Sequence, residues 1–240
     1  MCVPESTSGH SFMAYVGAHP AFTDRMEKWL LGITSGQGNK KARDAAFKLA
    51  CRLNTTGRLY FCVYAYRHMS IGNIHPAVFG AALEAAWTSG NLGNAFSEWC
   101  PRPIYRHIVN MFEHAGIENM TAAPGDKALF DTLPDEVTIY RGTSGISVGK
   151  ARYGMSWTTD LGCAMWFATR WGEDTRDPVC LKGAIQKDSI LAAFNSRNEK
   201  EIVVPSGRVR QVKKVSIDRR LANTWKKANH ESSMAMLKAA

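Results

Sequence analysis

The hydrophobic pattern of this chain changes period partway along, and that change limits the possible folds more than any other feature of its 240 residues. In the first half, apolar residues recur at helical spacing. Ala42, Ala46, Phe47, Leu49, Ala50 and Leu53 form one stripe behind Asn39, a residue suited to cap a helix, which predicts a helix through Leu53. Thr23 or Asp24 opens a shorter helix through Ile33, with Gly36 and Gly38 separating the two. Leu59 to Tyr66 is an apolar and aromatic run that periodicity alone assigns to neither strand nor buried helix, and we read it as helix. Pro76 at a first helical position starts Ala77 to Trp87, the Thr88 to Asn94 stretch interrupts it, and Pro103 through His114 gives another helix ended by Gly116.

From Leu133 the texture differs. Val137 to Tyr140, Val179 to Leu181 and Glu201 to Val204 are short runs rich in β-branched residues, separated by Gly-rich or polar turns. Helical patches are predicted at Leu161 to Trp171 and Asp188 to Phe194. The expected architecture is therefore α+β, with a mostly helical region over residues 1–123, a strand-containing domain over 124–217 and a basic C-terminal helix or tail over 218–240. Ala123-Pro124-Gly125 marks the expected boundary, and residues 1–20, which lack periodicity, are expected to lie loosely on the surface.

With 45% hydrophobic and 21% charged residues and no apolar run near membrane-spanning length, the composition predicts a soluble globular protein with no membrane partner. Lys and Arg number 30 against 21 Asp and Glu, and the net charge of +9 favours polyanions, phosphate-bearing ligands or acidic proteins. The N-terminus has no basic flank and no apolar core of a secretory signal, so action in a cytoplasm is the expectation. Six cysteines without a CxxC pair read as reduced thiols, and Cys163 reads as a buried structural thiol rather than a nucleophile. Seven scattered histidines match no zinc spacing, so no metal is expected. Neither GxGxxG nor a Walker motif is present, which argues against a doubly wound nucleotide site.

Three segments in the second half carry the chemistry. Tyr140-Arg141-Gly142 ends a predicted strand, where an arginine beside a flexible glycine can reach a phosphate with its two-pronged guanidinium, or simply be solvated. Ser156-Trp157-Thr158 lies in a hydroxyl-rich strand or turn before a helix whose N-cap is Thr159 or Asp160 and whose Trp166, Phe167 and Trp171 can equally be packing residues. Glu199 and Glu201, two positions apart at a strand entrance, project to one face roughly 7 Å apart. Like charges so placed are costly unless a ligand or cation uses them or the edge is solvated.

In this order the three segments resemble the mono-ADP-ribosyltransferase family of the Arg-Ser-Glu type, which includes bacterial toxins and phage-encoded enzymes. The resemblance runs from about residue 133 to 217. Tyr140-Arg141-Gly142 looks like the family's strand-one arginine, Ser156-Trp157-Thr158 like a variant of its Ser-Thr-Ser element and Glu199-Lys200-Glu201 like its Glu-x-Glu turn. It implies an ADP-ribosyltransferase-like split β-sandwich with short helices, with NAD+ as co-substrate. It also implies roles. Glu201 stabilises the oxocarbenium-like transition state, Ser156 (or Thr158, since Trp157 replaces a small residue) orients Glu201, Arg141 holds the pyrophosphate, and Glu199 positions and deprotonates the acceptor. Gly142 belongs to the NAD+ site, and Tyr140, Trp157 or Phe167 stacks near the nicotinamide.

The acceptor implied is a protein arginine. The basic stretch from Arg208 to Lys227, with eight Lys or Arg against Asp218 alone, supports RNA or DNA as the alternative, with Trp225 available to stack. An NAD+ glycohydrolase and a catalytically silent binding module are the further alternatives. The helical N-terminal region is expected to recognise the target or an inhibitory partner such as a cognate antitoxin.

Overall fold

Helices precede an antiparallel sheet, so the protein is α+β. The structure, a computed structural model, describes residues 39–70, 72–88, 104–171 and 177–239. The predicted helix ending at Ile33, the Gly36 and Gly38 break, residues 1–20 and most of the Thr88 to Asn94 stretch lie outside the described residues. The chain divides into two compact units, Met1–Met120 and Thr121–Ala240, just ahead of the expected boundary.

In the first unit the described helices are α1 (Asn39–Arg52), α2 (Thr55–Ser70), α3 (Pro76–Thr88), α4 (Ile104–Ala115) and α5 (Ile117–Met120). Pro76 begins α3 because its missing N–H and fixed φ cost nothing there. Every residue from Ala77 to Ala86 is buried, and its small side chains let neighbours approach closely, as Asn119 does over Gly80. Glu84 on this buried helix is matched by Arg43 of α1 at 2.5 Å. α2 starts earlier than the apolar run suggests, because the Asn54 side chain accepts from the Gly57 N–H at 2.7 Å. Leu59 to Val63, Ala65 and Tyr66 are all buried, and a helix enclosed on nearly every side leaves no amphipathic stripe to read.

The second unit holds α6 (Pro124–Asp131), β1 (Glu136–Thr143), α7 (Val148–Ala151), β2 (Ser156–Thr158), α8 (Leu161–Thr169), β3 (Val179–Gln186), a 3-10 turn (Lys187–Ser189), β4 (Ala192–Phe194), β5 (Glu201–Val203), β6 (Arg210–Val215) and α9 (Arg219–Ala239). The strands form one sheet in the order β4-β5-β2-β1-β3-β6, each neighbouring pair antiparallel.

One expectation is corrected here. The Asp188 to Phe194 helix is instead the 3-10 turn followed by β4, whose three residues are all buried and pair with β5 from Ala192 opposite Val203 to Phe194 opposite Glu201. Burial on both faces erased the alternation that would have marked a strand, and ladder pairing outweighed the helix preference of alanine. The basic stretch after Arg208, in turn, contributes the sheet's edge strand β6, with Arg210, Lys213 and Lys214 exposed. Lysines on an edge suit it to solvent and discourage pairing with another chain.

The helix that follows is no loose tail. Ala222 is buried with Ala164, Met165 and Cys180, while Leu221 and Ile217 pack alongside. Trp225 lies on Gly162, and its ring centroid is 5.4 Å from that of Trp166. That contact engages the ring that was expected to be available for stacking on a base.

Candidate active site

β1 and β2 carry two of the three sequence segments side by side. Among the described residues their register is the single pair Tyr140 and Thr158, after which the strands part. The Arg141 guanidinium takes up the gap, with Nη1 donating to the Ser156 carbonyl that the ladder leaves. Gly154 floors this position, since a Cβ there would run into the guanidinium.

β2 pairs antiparallel with β5, with Ser156 opposite Val203 and Thr158 opposite Glu201. Residues two apart on a strand share a face, so Ser156 and Thr158 stand on the side of Glu201 and Trp157 points away. Ser156 Oγ donates to Glu201 Oε1 at 2.6 Å. Glu201 is only 7% exposed, and that bond fixes one of its two oxygens.

Thr158 does something else. Its Oγ1 donates to the Glu199 carbonyl at 2.6 Å and accepts from the Asp160 N–H at 2.9 Å, tying the loop before β5 to the start of α8. Of the two hydroxyls considered for orienting Glu201, the structure brings Ser156 to it. Asp160 caps α8, accepting from the Cys163 N–H at 3.0 Å.

The two glutamates do not follow a regular pleat. Glu201 begins β5, but Glu199 sits in the preceding turn, and Asn198 and Lys200 both adopt left-handed backbone (φ 55° and 47°). For a lysine this conformation costs about 1 kcal/mol. It turns the Lys200 carbonyl to accept from the Thr159 N–H at 3.2 Å, next to the Thr158 bond on Glu199. The carboxylates converge through Arg197, whose Nη2 is 2.8 Å from Glu199 Oε2 and 3.7 Å from Glu201 Oε2.

Burial raises the Glu199 pKa above its usual 4.5, the Arg197 charge opposes that rise, the Glu201 charge adds to it, and the Arg170 charge opposes it least. Cys163, buried beneath the same loop, has its thiol pKa raised, first by burial and then by the charges of Glu199 and Asp160. A thiol held protonated in this way is a packing residue rather than a nucleophile.

Packing engages the other residues singled out in the sequence. Trp157 is 2% exposed and its Nε1 donates to the Gly154 carbonyl at 2.7 Å, so its ring belongs to the core and is not a stacking platform. Tyr140 packs against the cluster of Ala164, Met165, Cys180 and Ala222. Gly142 faces the backbone of α8 at Ala164 and Ala168 so closely that no Cβ fits, which accounts for it without a ligand. Phe167 is half-buried, with the Arg170 guanidinium 5.0 Å from its ring centre and 4.8 Å from that of the exposed Trp171.

Sequence reasoning missed Asp126, Arg170 and Arg197. Asp126 is 2% exposed, and its Oδ1 accepts from the Asn195 N–H at 2.6 Å, pinning the start of the loop that carries both glutamates. In the sequence it reads as an ordinary acid in the first turn of a proline-started helix. Among the described residues no group of three or more His, Cys, Asp or Glu is placed to hold a metal, and no helix is long and apolar enough to cross a membrane. Comparison of the chain with family models, with curated proteins and with solved structures gives no match.

Proposed function

We propose that the chain is an NAD+-dependent mono-ADP-ribosyltransferase that modifies protein arginine. The observation that carries this reading is the Ser156 to Glu201 hydrogen bond of 2.6 Å beside a second carboxylate that already holds a guanidinium. Breaking the bond between ribose and nicotinamide builds positive charge at the anomeric carbon. A carboxylate fixed beforehand by a serine stabilises that charge without reorganising, which lowers the barrier more than it tightens substrate binding. Glu201 fills this role, Ser156 orients it and Arg141 binds the pyrophosphate. Glu199 holds the acceptor guanidinium and accepts its proton.

Two expected outcomes follow from these roles. Gly154→Ala pushes against the mobile end of Arg141 rather than against backbone, so the fold survives and NAD+ binding suffers. KM for NAD+ is expected to rise by about 10- to 100-fold, the worth of one charge-assisted hydrogen bond, with little change in melting temperature. Because burial holds the Glu199 proton to higher pH, the rate of transfer is expected to climb with pH on a limb centred above 4.5, where the base form fills. The limb is expected to vanish in Glu199→Gln, and a pH–rate profile of transfer to a small guanidino compound checks this.

A second reading keeps the chemistry and changes the acceptor to RNA or DNA. Its support is the exposure of Lys213, Lys214, Arg219, Arg220, Lys226 and Lys227 on the unit that carries the glutamates. Incubating the protein with labelled NAD+ and whole-cell lysate, then splitting the product between protease and nuclease, separates the two. Label lost to protease supports the arginine reading, and label lost to nuclease replaces it with the second.

A further inference from the structure

The Arg197 side chain meets both glutamates. Its Nη2 touches Glu199 at 2.8 Å and lies 3.7 Å from Glu201, while about half of its side chain remains exposed. The loop that carries it is tied at both ends. Asp126 accepts from the Asn195 N–H at its start, Asn195 itself accepts from the Asn198 N–H at 2.8 Å, and the hydroxyl of Thr158 and the N–H of Thr159 bind the carbonyls of Glu199 and Lys200 at its end. Asn198, the next residue, adopts left-handed backbone, and the half-exposed Arg197 side chain lies against both carboxylates. A guanidinium nitrogen is thus held by the residue assigned as the acceptor's base and lies close to the carboxylate assigned to the anomeric carbon.

Resting on the transferase reading above, we infer that Arg197 is itself an acceptor and that the chain ADP-ribosylates this residue in cis. The step balances within the proposed reaction. The glycosidic bond from the anomeric carbon to the nicotinamide nitrogen breaks, and nicotinamide leaves as a neutral molecule with the bonding pair. Nη2 of Arg197 forms the new bond to the same carbon, and its proton passes to Glu199. Holding nucleophile and base together in one short loop gives the intramolecular reaction a large advantage over capture of a dissolved arginine, since effective molarities of well-placed groups reach about 10⁵ M and above. The product places two phosphates and two sugars on the loop beside Glu199 and Glu201, so each molecule is expected to accept one ADP-ribose at this position.

The test uses the full chain and NAD+ alone, with nicotinamide release and peptide mass spectrometry read from the same samples over a wide range of protein concentration. The expected result is one ADP-ribose on Arg197, gained at a rate per molecule that does not change with protein concentration, and lost from the peptide in Arg197→Lys. Nicotinamide released with Arg197 unmodified overturns the inference and leaves the transferase reading standing, as does labelling of Arg197 that accelerates with protein concentration. An Arg197→Lys protein labelled on this loop as fully as wild type also overturns it. If wild type with a native melting transition releases no nicotinamide, the transferase reading falls and this inference falls with it.

Discussion

Glu201→Gln is expected to slow nicotinamide release from NAD+ by about 10²- to 10³-fold while leaving the melting temperature close to that of wild type, the usual loss when a fixed electrostatic partner of a transition state is removed. The substitution is nearly isosteric, and a glutamine oxygen still accepts from Ser156 Oγ, so the 2.6 Å contact and the β2 to β5 pairing persist. What is lost is the negative charge next to the anomeric carbon. The Arg197 ion pair at 3.7 Å weakens too, but with Arg197 half exposed that contributes little to stability. Ser156→Ala removes only the orienting bond and is expected to cost about tenfold, in line with one hydrogen bond. A folded Glu201→Gln protein as fast as wild type contradicts the assignment, and steady-state kinetics beside a thermal melt decides it.

The second large effect is structural. Gly142→Ala is expected to destabilise the second unit by about 3 kcal/mol, at the upper end of the usual cost of forcing extra volume into a packed interior, and to lower its melting temperature by roughly 10 °C. A Cβ at this position collides with the carbonyl of Ala164 and the amide nitrogen of Ala168, and both belong to helix backbone that cannot swing aside as a side chain can. β1 and α8 must then separate, carrying Arg141 away from Ser156 on one side and Cys163 away from the glutamate loop on the other. Activity is expected to fall with stability in this variant, whereas Gly154→Ala keeps stability and loses NAD+ affinity. Urea unfolding of the two proteins gives the comparison, and an unchanged midpoint for Gly142→Ala contradicts the close packing.

Much of the α+β order was legible because several elements carry local signals strong enough to stand alone. The Asn39 helix has an unbroken stripe, Pro76 announces α3, and Val137 to Tyr140 is β-branched and bounded by turns. Local signals failed where tertiary burial or charge rewrote the pattern. Ala192-Ala193-Phe194 is enclosed on both faces and so has no period, and β6 hides its two valines among the lysines that keep an edge strand soluble. Trp157 and Gly142 sat next to candidate site residues in the sequence, but a strand sends neighbours to opposite faces, and proximity along the chain said nothing about which face each would take.

The candidate site was legible in part for the same reason. Arg141, Ser156, Glu199 and Glu201 could be singled out by residue type and order, and the structure brings Ser156 to Glu201 and Arg141 to the Ser156 carbonyl. The residues that hold the arrangement could not be found this way. Asp126 is far from Asn195 in sequence, and their bond exists only because α6 and the loop before β5 meet in the folded unit. Arg197 is one charge among several in a polar stretch of the sequence, and its contact with the glutamates forms only in the folded loop, which holds two left-handed residues that are not glycine.

The most direct test of the central claim is to incubate the purified full chain with NAD+ labelled in the nicotinamide ring, together with a small guanidino compound, and to measure free nicotinamide and the fate of the ADP-ribose moiety over time. The expected result is nicotinamide release matched by ADP-ribose attached to a guanidinium, both dependent on Glu201. Quantitative recovery of intact NAD+ from a protein with a native melting transition contradicts the account.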